Sequence, residues 1–158
     1  MAPIPCLRQL LDVAEKKDAP TVALMRVPRS EIPKYGIVSV RAAGERLYEL
    51  TGMVEKPPIE KAPSDMAILR RYILTPEVFA ILEQVKPGQG GEIQLTDALA
   101  ALRKKDGLIG YKFEGRRYDA GDKLGYVKAN VAYAIKRPDL RGLLLEWLAS
   151  LLREANGP

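Results

Sequence analysis

The chain has 158 residues, 47% of them hydrophobic and 28% charged, which is enough for one domain with a real core and too short for two large ones. It contains no histidine and a single cysteine, which excludes Ser-His-Asp and Cys-His catalysis, ordinary zinc sites and an intramolecular disulfide. The net charge of +5 suits an anionic ligand, but without a dense basic block, and with aromatics at 6%, no nucleic-acid partner is expected.

The longest apolar stretch, LLLEWLASLL over residues 143–152, is interrupted by Glu146. It falls short of the roughly 20 residues that a membrane span needs, so no membrane partner is expected. The N-terminus MAPIPCLRQLLD has no basic start followed by an apolar block, so it does not read as a signal peptide. The lone Cys6 fits a reducing cytoplasm.

In chain order, PCLRQLLDVAEKKDAP places Leu7, Leu10, Leu11 and Ala14 at helical spacing and stops before Pro20. TVALMRV, residues 21–27, is a short β-branched apolar run that predicts a buried strand. After a turn-rich link, PRSEIPKYG, the stretch IVSVRAAGERLYELTGMVEKP alternates around Gly44 as a hairpin does. MAILRRYIL predicts another strand, and TPEVFAILEQV a helix with Thr75 as N-cap and Pro76 at its first position. PGQGGEIQ is a loop, and LTDALAALRKK a helix capped by Thr96 with a basic last turn. LIGYKFEG is a strand, DKLGYVKANVAYAIKR a helix, and PDLRGLLLEWLASLL a last helix opened by a proline. Strands and helices mix throughout with at least one hairpin, so the expected class is α/β with a mixed sheet.

Three stretches carry candidate chemistry. MVEKPP sets Glu55 beside Lys56 at a strand end, where neighbours point to opposite faces and do not pair with each other. One reading is a solvated strand end. The other is a carboxylate accepting from vicinal sugar hydroxyls with an ammonium on the sugar's phosphate. Gly36, just before a strand in KYGIVSV, is either a bend or a place where a backbone amide approaches a ligand. PGQGGEIQLTDAL looks like a phosphate loop but lacks the Lys-Ser/Thr pair of a nucleotide P-loop, and Glu92 and Asp97 serve there as loop anchors or caps. In RRYDAGDKLGY, Asp122 is the expected N-cap of the following helix, while Asp119, read as the end of the preceding strand, is the one free to face a ligand.

Taken together, YGIV, VEKP, APSDMAILRRYILTPEVF, PGQGGEIQLTDAL and EGRRYDAGDKLGYVKANVAYAIKRPDL closely resemble bacterial UTP–glucose-1-phosphate uridylyltransferases (UDP-glucose pyrophosphorylases). GGEIQLTDAL followed by DKLGY favours this enzyme over the related thymidylyl- and adenylyltransferases. The resemblance implies a mixed-sheet, Rossmann-like nucleotidyltransferase (nucleotide-diphospho-sugar transferase) fold. It implies attack of the glucose 1-phosphate phosphate on the α-phosphorus of UTP, with Mg2+, giving UDP-glucose and pyrophosphate. Position by position, Gly36 would offer its backbone to a sugar hydroxyl and Glu55 would hold sugar hydroxyls. Lys56 would contact the sugar phosphate in a catalytic and substrate-binding role, and Asp119 would lie near the phosphates and the metal.

The family opens with a glycine-rich nucleotide loop carrying an arginine, then a lysine-bearing segment and a metal-holding aspartate, and no such stretch occurs here. The expectation is therefore the sugar-binding C-terminal part with the N-terminal half missing: residues 1–140 belong to the nucleotidyltransferase domain, and residues 141–158 form a C-terminal helix that offers an oligomer contact. Such a chain alone is expected to be inactive; the alternative is a non-catalytic sugar-phosphate-binding or protein-interaction module. Starting a mixed sheet midway leaves unpaired edges, which predicts a homo-oligomer contacting through Leu144, Trp147, Leu148 and Leu151. Two departures from the family's pattern are Asp65, where asparagine is usual, and Arg70, where a glycine is usual and where the arginine would fill space in the sugar pocket.

Overall fold

A computed structural model describes residues 4–86, 91 and 93–157, and it divides into two compact units, Met1–Gly115 and Arg116–Pro158. The first unit begins with helix α1, Cys6–Lys17, which buries Leu10 and Ala14 but leaves Leu7 46% exposed. It ends at Asp18, whose left-handed backbone (φ 48°) lets its amide close on the Ala14 carbonyl.

Five strands follow: β1 Thr21–Arg26, β2 Gly36–Gly44, β3 Leu47–Glu55, β4 Met66–Ile73 and β5 Ile109–Lys112. They join in the order β1-β4-β2-β3-β5 and close into a ring, because β5 pairs β3 antiparallel on one side and β1 parallel on the other. The sheet is mixed, as the sequence predicts. The expected unpaired edges are not there: among the described residues each strand has two neighbours, with the β2–β4 seam reduced to Ile37 opposite Ala67.

Val22 and Leu24 of β1 point into the ring with Val38, Leu50, Met66 and Ile68, and Leu99 and Leu108 join the same cluster. Between them Ala23 faces outward against Leu10 of α1 and Leu69. Both faces of β1 are thus covered, which is why TVAL reads as an unbroken apolar run rather than an alternating one. Buried Gln9 clamps α1 to the stretch after β5, donating to the carbonyls of Ile4 (2.8 Å) and Glu114 (3.0 Å) and accepting from the Glu114 amide (2.8 Å).

The link expected as a turn forms a 3-10 helix over Arg29–Lys34. Helix α2 runs Glu77–Leu82 with Pro76 at the cap position, so Thr75 and Pro76 stand one place further out than expected and no side chain caps it. Helix α3, Leu95–Asp106, has Gln94 rather than Thr96 at its N-cap, again without a side-chain cap. Of the PGQGGEIQ loop, residues 87–90 and Glu92 lie outside the described residues.

The second unit holds α4, Lys123–Ala134, and α5, Pro138–Asn156. Neither helix buries a residue, and Leu143 (72%), Trp147 (55%) and Leu152 (64%) stand well exposed.

Candidate functional site

The β2–β3 hairpin brings three of the predicted residues to one end of the ring. Gly36 opens β2 directly opposite Glu55, the last residue of β3. The Lys56 amide donates to the Tyr35 carbonyl at 3.0 Å, which makes Gly36–Glu55 a non-hydrogen-bonded pair, the kind in which facing residues come closest. The Gly36 N–H therefore stays outside the β2–β3 ladder. A Cβ on Gly36 would lie 2.9 Å from Glu55 Oε2, so the absent side chain is what lets this carboxylate lie across the β2 backbone.

Lys56 takes a left-handed backbone (φ 43°), and the chain leaves the strand through buried Pro57 and exposed Pro58. Neither Glu55 nor Lys56 makes an ion pair with a described residue, in line with neighbours that do not pair with each other. Glu55 Oε2 accepts instead from the Thr96 hydroxyl at 2.8 Å. Tyr72 stands within electrostatic reach: burial pushes its phenol up, the Arg70 charge pulls it down, and the Glu55 carboxylate raises it.

The two departures from the family's pattern each have a place. Asp65 Oδ2 accepts from Arg26 Nη1 at 2.7 Å and its carbonyl from the Val27 amide at 3.0 Å, tying the end of β1 to the start of β4. Arg70 is exposed in a bulge of β4: Val22 faces Tyr72 and Leu24 faces Ile68, so Leu69, Arg70 and Arg71 stand opposite Ala23 alone. Bulges re-aim side chains, and this one carries two arginines beside Tyr72.

Asp119 and Asp122 lie in the second unit. Asp122 is the N-cap of α4, its Oδ2 accepting from the Gly125 amide at 2.7 Å, as the sequence predicts. Asp119 differs from expectation. The preceding strand ends at Lys112, and Asp119 sits in the turn beyond it with both oxygens engaged: Oδ2 with Arg117 Nη2 at 2.6 Å and Oδ1 with the Gly121 amide at 3.1 Å. An aspartate that bonds the amide two residues on is a common turn-former. Gly125 is required by this turn, since a Cβ there would come within 2.1 Å of the Asp119 carbonyl oxygen. A shallow open groove of about 530 Å3 in this unit, lined by Tyr126, Asn130, Tyr133 and Arg137 among others, contains none of the predicted site residues.

Among the described residues no group of three or more histidine, cysteine, aspartate or glutamate side chains stands together. A hard divalent cation takes six or more oxygen ligands, and Asp119 offers one carboxylate already engaged by Arg117. These residues do not form a cation site by themselves. Among the described residues no helix is long and apolar enough to cross a membrane.

Comparison with known proteins decides the family. The nucleotidyl transferase family model matches residues 5–136. The chain belongs to the nucleotidyl transferase family. Within that family it is 45% identical over 152 residues to a UTP–glucose-1-phosphate uridylyltransferase of Streptococcus pneumoniae serotype 4, covering 96% of this chain and 51% of that protein. Among solved structures, a UDP-glucose pyrophosphorylase complexed with UDP-glucose superposes with a TM-score of 0.81 at 43% identity, over 87% of this chain and 52% of that one. A UTP-bound enzyme of the same kind from Acinetobacter baumannii superposes at 0.75 and 32% identity, over 92% and 49%. This nucleotidyl transferase chain thus spans about half the length of the curated relatives it matches. A divalent metal is typical of such enzymes.

The sequence missed Thr96 and Tyr72 as members of the Glu55 cluster. Thr96 precedes an apolar helical run, where threonine ordinarily caps, and nothing local reveals a partner 41 residues away.

Proposed function

We propose that this nucleotidyl transferase chain supplies the sugar-phosphate side of the UTP–glucose-1-phosphate uridylyltransferase reaction, in which UTP and glucose 1-phosphate give UDP-glucose and pyrophosphate. The observation that carries the reading is the Glu55 carboxylate seated over Gly36 with Lys56, an exposed cation without an ion pair among the described residues, next to it. A carboxylate accepts from two hydroxyls and an ammonium offsets phosphate charge, so the pair matches the two ends of a sugar 1-phosphate. In this reading Glu55 and the Gly36 backbone hold the glucose hydroxyls, and Lys56 draws the sugar phosphate into line for attack on the α-phosphorus of UTP. A phosphate oxygen of the sugar is the nucleophile and pyrophosphate leaves; positioning and charge neutralisation are what the protein adds.

Asp119 is assigned to the phosphate and metal side on the resemblance alone. Magnesium is the metal we propose for the whole reaction; the described residues do not form its site by themselves. The single free Cys6 suits a reducing compartment, and we propose a cytoplasmic setting on that ground. For the exposed apolar surface of α5 we propose a second copy of the chain as partner, with Leu144, Trp147, Leu148 and Leu151 at the contact.

The test is a calorimetric titration of the chain with UDP-glucose, UTP and a DNA duplex. The reading expects binding of UDP-glucose that weakens at least tenfold in both Glu55→Gln and Lys56→Ala. Equal affinity in the two variants and the unmodified chain overturns it.

A further inference from the structure

We propose that Thr96 is the positioning residue for the Glu55 carboxylate, and that together they present a sugar edge with hydrogen-bond acceptors only. The inference rests on the sugar-phosphate reading above and adds a residue and a selection rule to it.

The geometry has three parts. The Thr96 hydroxyl donates to Glu55 Oε2 at 2.8 Å, joining the first turn of α3 to the last residue of β3. The same oxygen lies against Gly36, 2.9 Å from the position a Cβ would take. Oε2 is therefore in contact with the β2 backbone and bonded to the Thr96 hydroxyl, while Oε1 has no hydrogen-bond partner among the described residues. A glutamate side chain has three rotatable bonds, and without such a hold its carboxylate samples many orientations.

Stabilising the fold is a poor explanation for this bond. Glu55 is exposed at a strand end and Thr96 is half-buried, so water competes for both groups and reduces what the bond adds to the fold. The position suits orientation better. α3 has twelve residues, and Thr96 in its first turn brings the partial positive charge of the helix start near the carboxylate.

The selection rule follows from the proton count. With its one proton committed to Oε2, the Thr96 oxygen offers only lone pairs, and an ionised Glu55 also offers only lone pairs. A ligand atom meeting this pair must donate. Sugar hydroxyls satisfy it; a fluorine in place of a hydroxyl cannot, and leaves an acceptor facing acceptors.

The experiment uses the whole chain and three variants, Thr96→Val, Thr96→Ser and Glu55→Gln, titrated calorimetrically with glucose 1-phosphate and with UDP-glucose, alongside melting curves. We expect Thr96→Val to weaken both ligands about tenfold, the equivalent of one well-placed hydrogen bond, with Thr96→Ser restoring affinity to within about twofold. Valine keeps the shape and loses the hydroxyl, so the melting temperature should barely move. A Thr96→Val chain that melts lower but binds as tightly assigns the bond to the fold and overturns the proposal. If Glu55→Gln loses affinity while Thr96→Val does not, positioning fails and the sugar reading stands. If the unmodified chain binds neither ligand, both fall.

Discussion

Replacing Gly36 by alanine should move affinity and stability in opposite directions. The new Cβ would stand 2.9 Å from Glu55 Oε2, against ordinary contact from about 3.4 Å, so the carboxylate must withdraw by about half an ångström. A carboxylate displaced by that much no longer sits in its 2.8 Å bond with the Thr96 hydroxyl, because O–H···O bonds tolerate little change in distance or angle. Losing one orienting bond at the ligand is worth about 1 kcal/mol, or near a fivefold weaker Kd. The fold should not suffer. Gly36 does not have a positive φ, and the atom it meets is the far end of a flexible side chain. Alanine at a compatible position restricts the unfolded chain, adding about 0.4–1 kcal/mol of stability. Urea unfolding and calorimetry with glucose 1-phosphate on the same preparation read both quantities. A Gly36→Ala chain that is less stable and binds unchanged refutes the reasoning, because Gly36 would then be a backbone requirement and not a seat for Glu55.

Gly110→Val should destabilise the first unit by about 1–3 kcal/mol in denaturant unfolding, since even a Cβ there comes within 2.3 Å of Leu24 Cδ1 and 2.7 Å of Leu50 Cδ1 in a filled core. Asp122→Ala should cost about 1 kcal/mol through the lost α4 cap, whereas Asp119→Asn keeps an oxygen for the Gly121 amide and should cost less; equal losses in melting curves would remove the distinction between cap and turn. Cys6 is partly buried, and burial raises its thiol pKa against a weaker opposing pull from Arg71. Less thiolate is present at neutral pH, so iodoacetamide should label folded Cys6 more slowly than the urea-unfolded chain, with labelling in the folded state rising as pH is raised. Trp147→Glu should shift self-association toward monomer in sedimentation equilibrium, and a clean monomer of the unmodified chain at every concentration speaks against the α5 contact.

Most of the fold could be read locally because its elements are marked locally. The unbroken apolar run of β1, the alternation around Gly44 and the aspartate before α4 each carry their own signal, and each element forms where expected. Ring closure carried none. It depends on β1 pairing with β5, Thr21 opposite Ile109, across most of the unit's length, and the edges inferred from a sheet begun midway are closed by that pairing. The site divides in the same way. Gly36, Glu55 and Lys56 stand out as a glycine before a strand and a charged pair ending one, and a register pairing brings Gly36 and Glu55 together. Thr96 reads as a cap because propensity describes a residue's own helix, and here a strand residue from elsewhere claims its hydroxyl. Asp119 reads as able to face a ligand because sequence does not show that Arg117 and the Gly121 amide turn back onto it.

The most direct test of the central claim is amide NMR of the isotope-labelled chain during titration with UDP-glucose. The account predicts that the amides of Gly36, Glu55, Lys56 and Thr96 shift together with a single binding curve, and that Glu55→Gln weakens that curve at least tenfold. Shifts confined to α4 and α5, with these four amides unmoved at saturation, would contradict it.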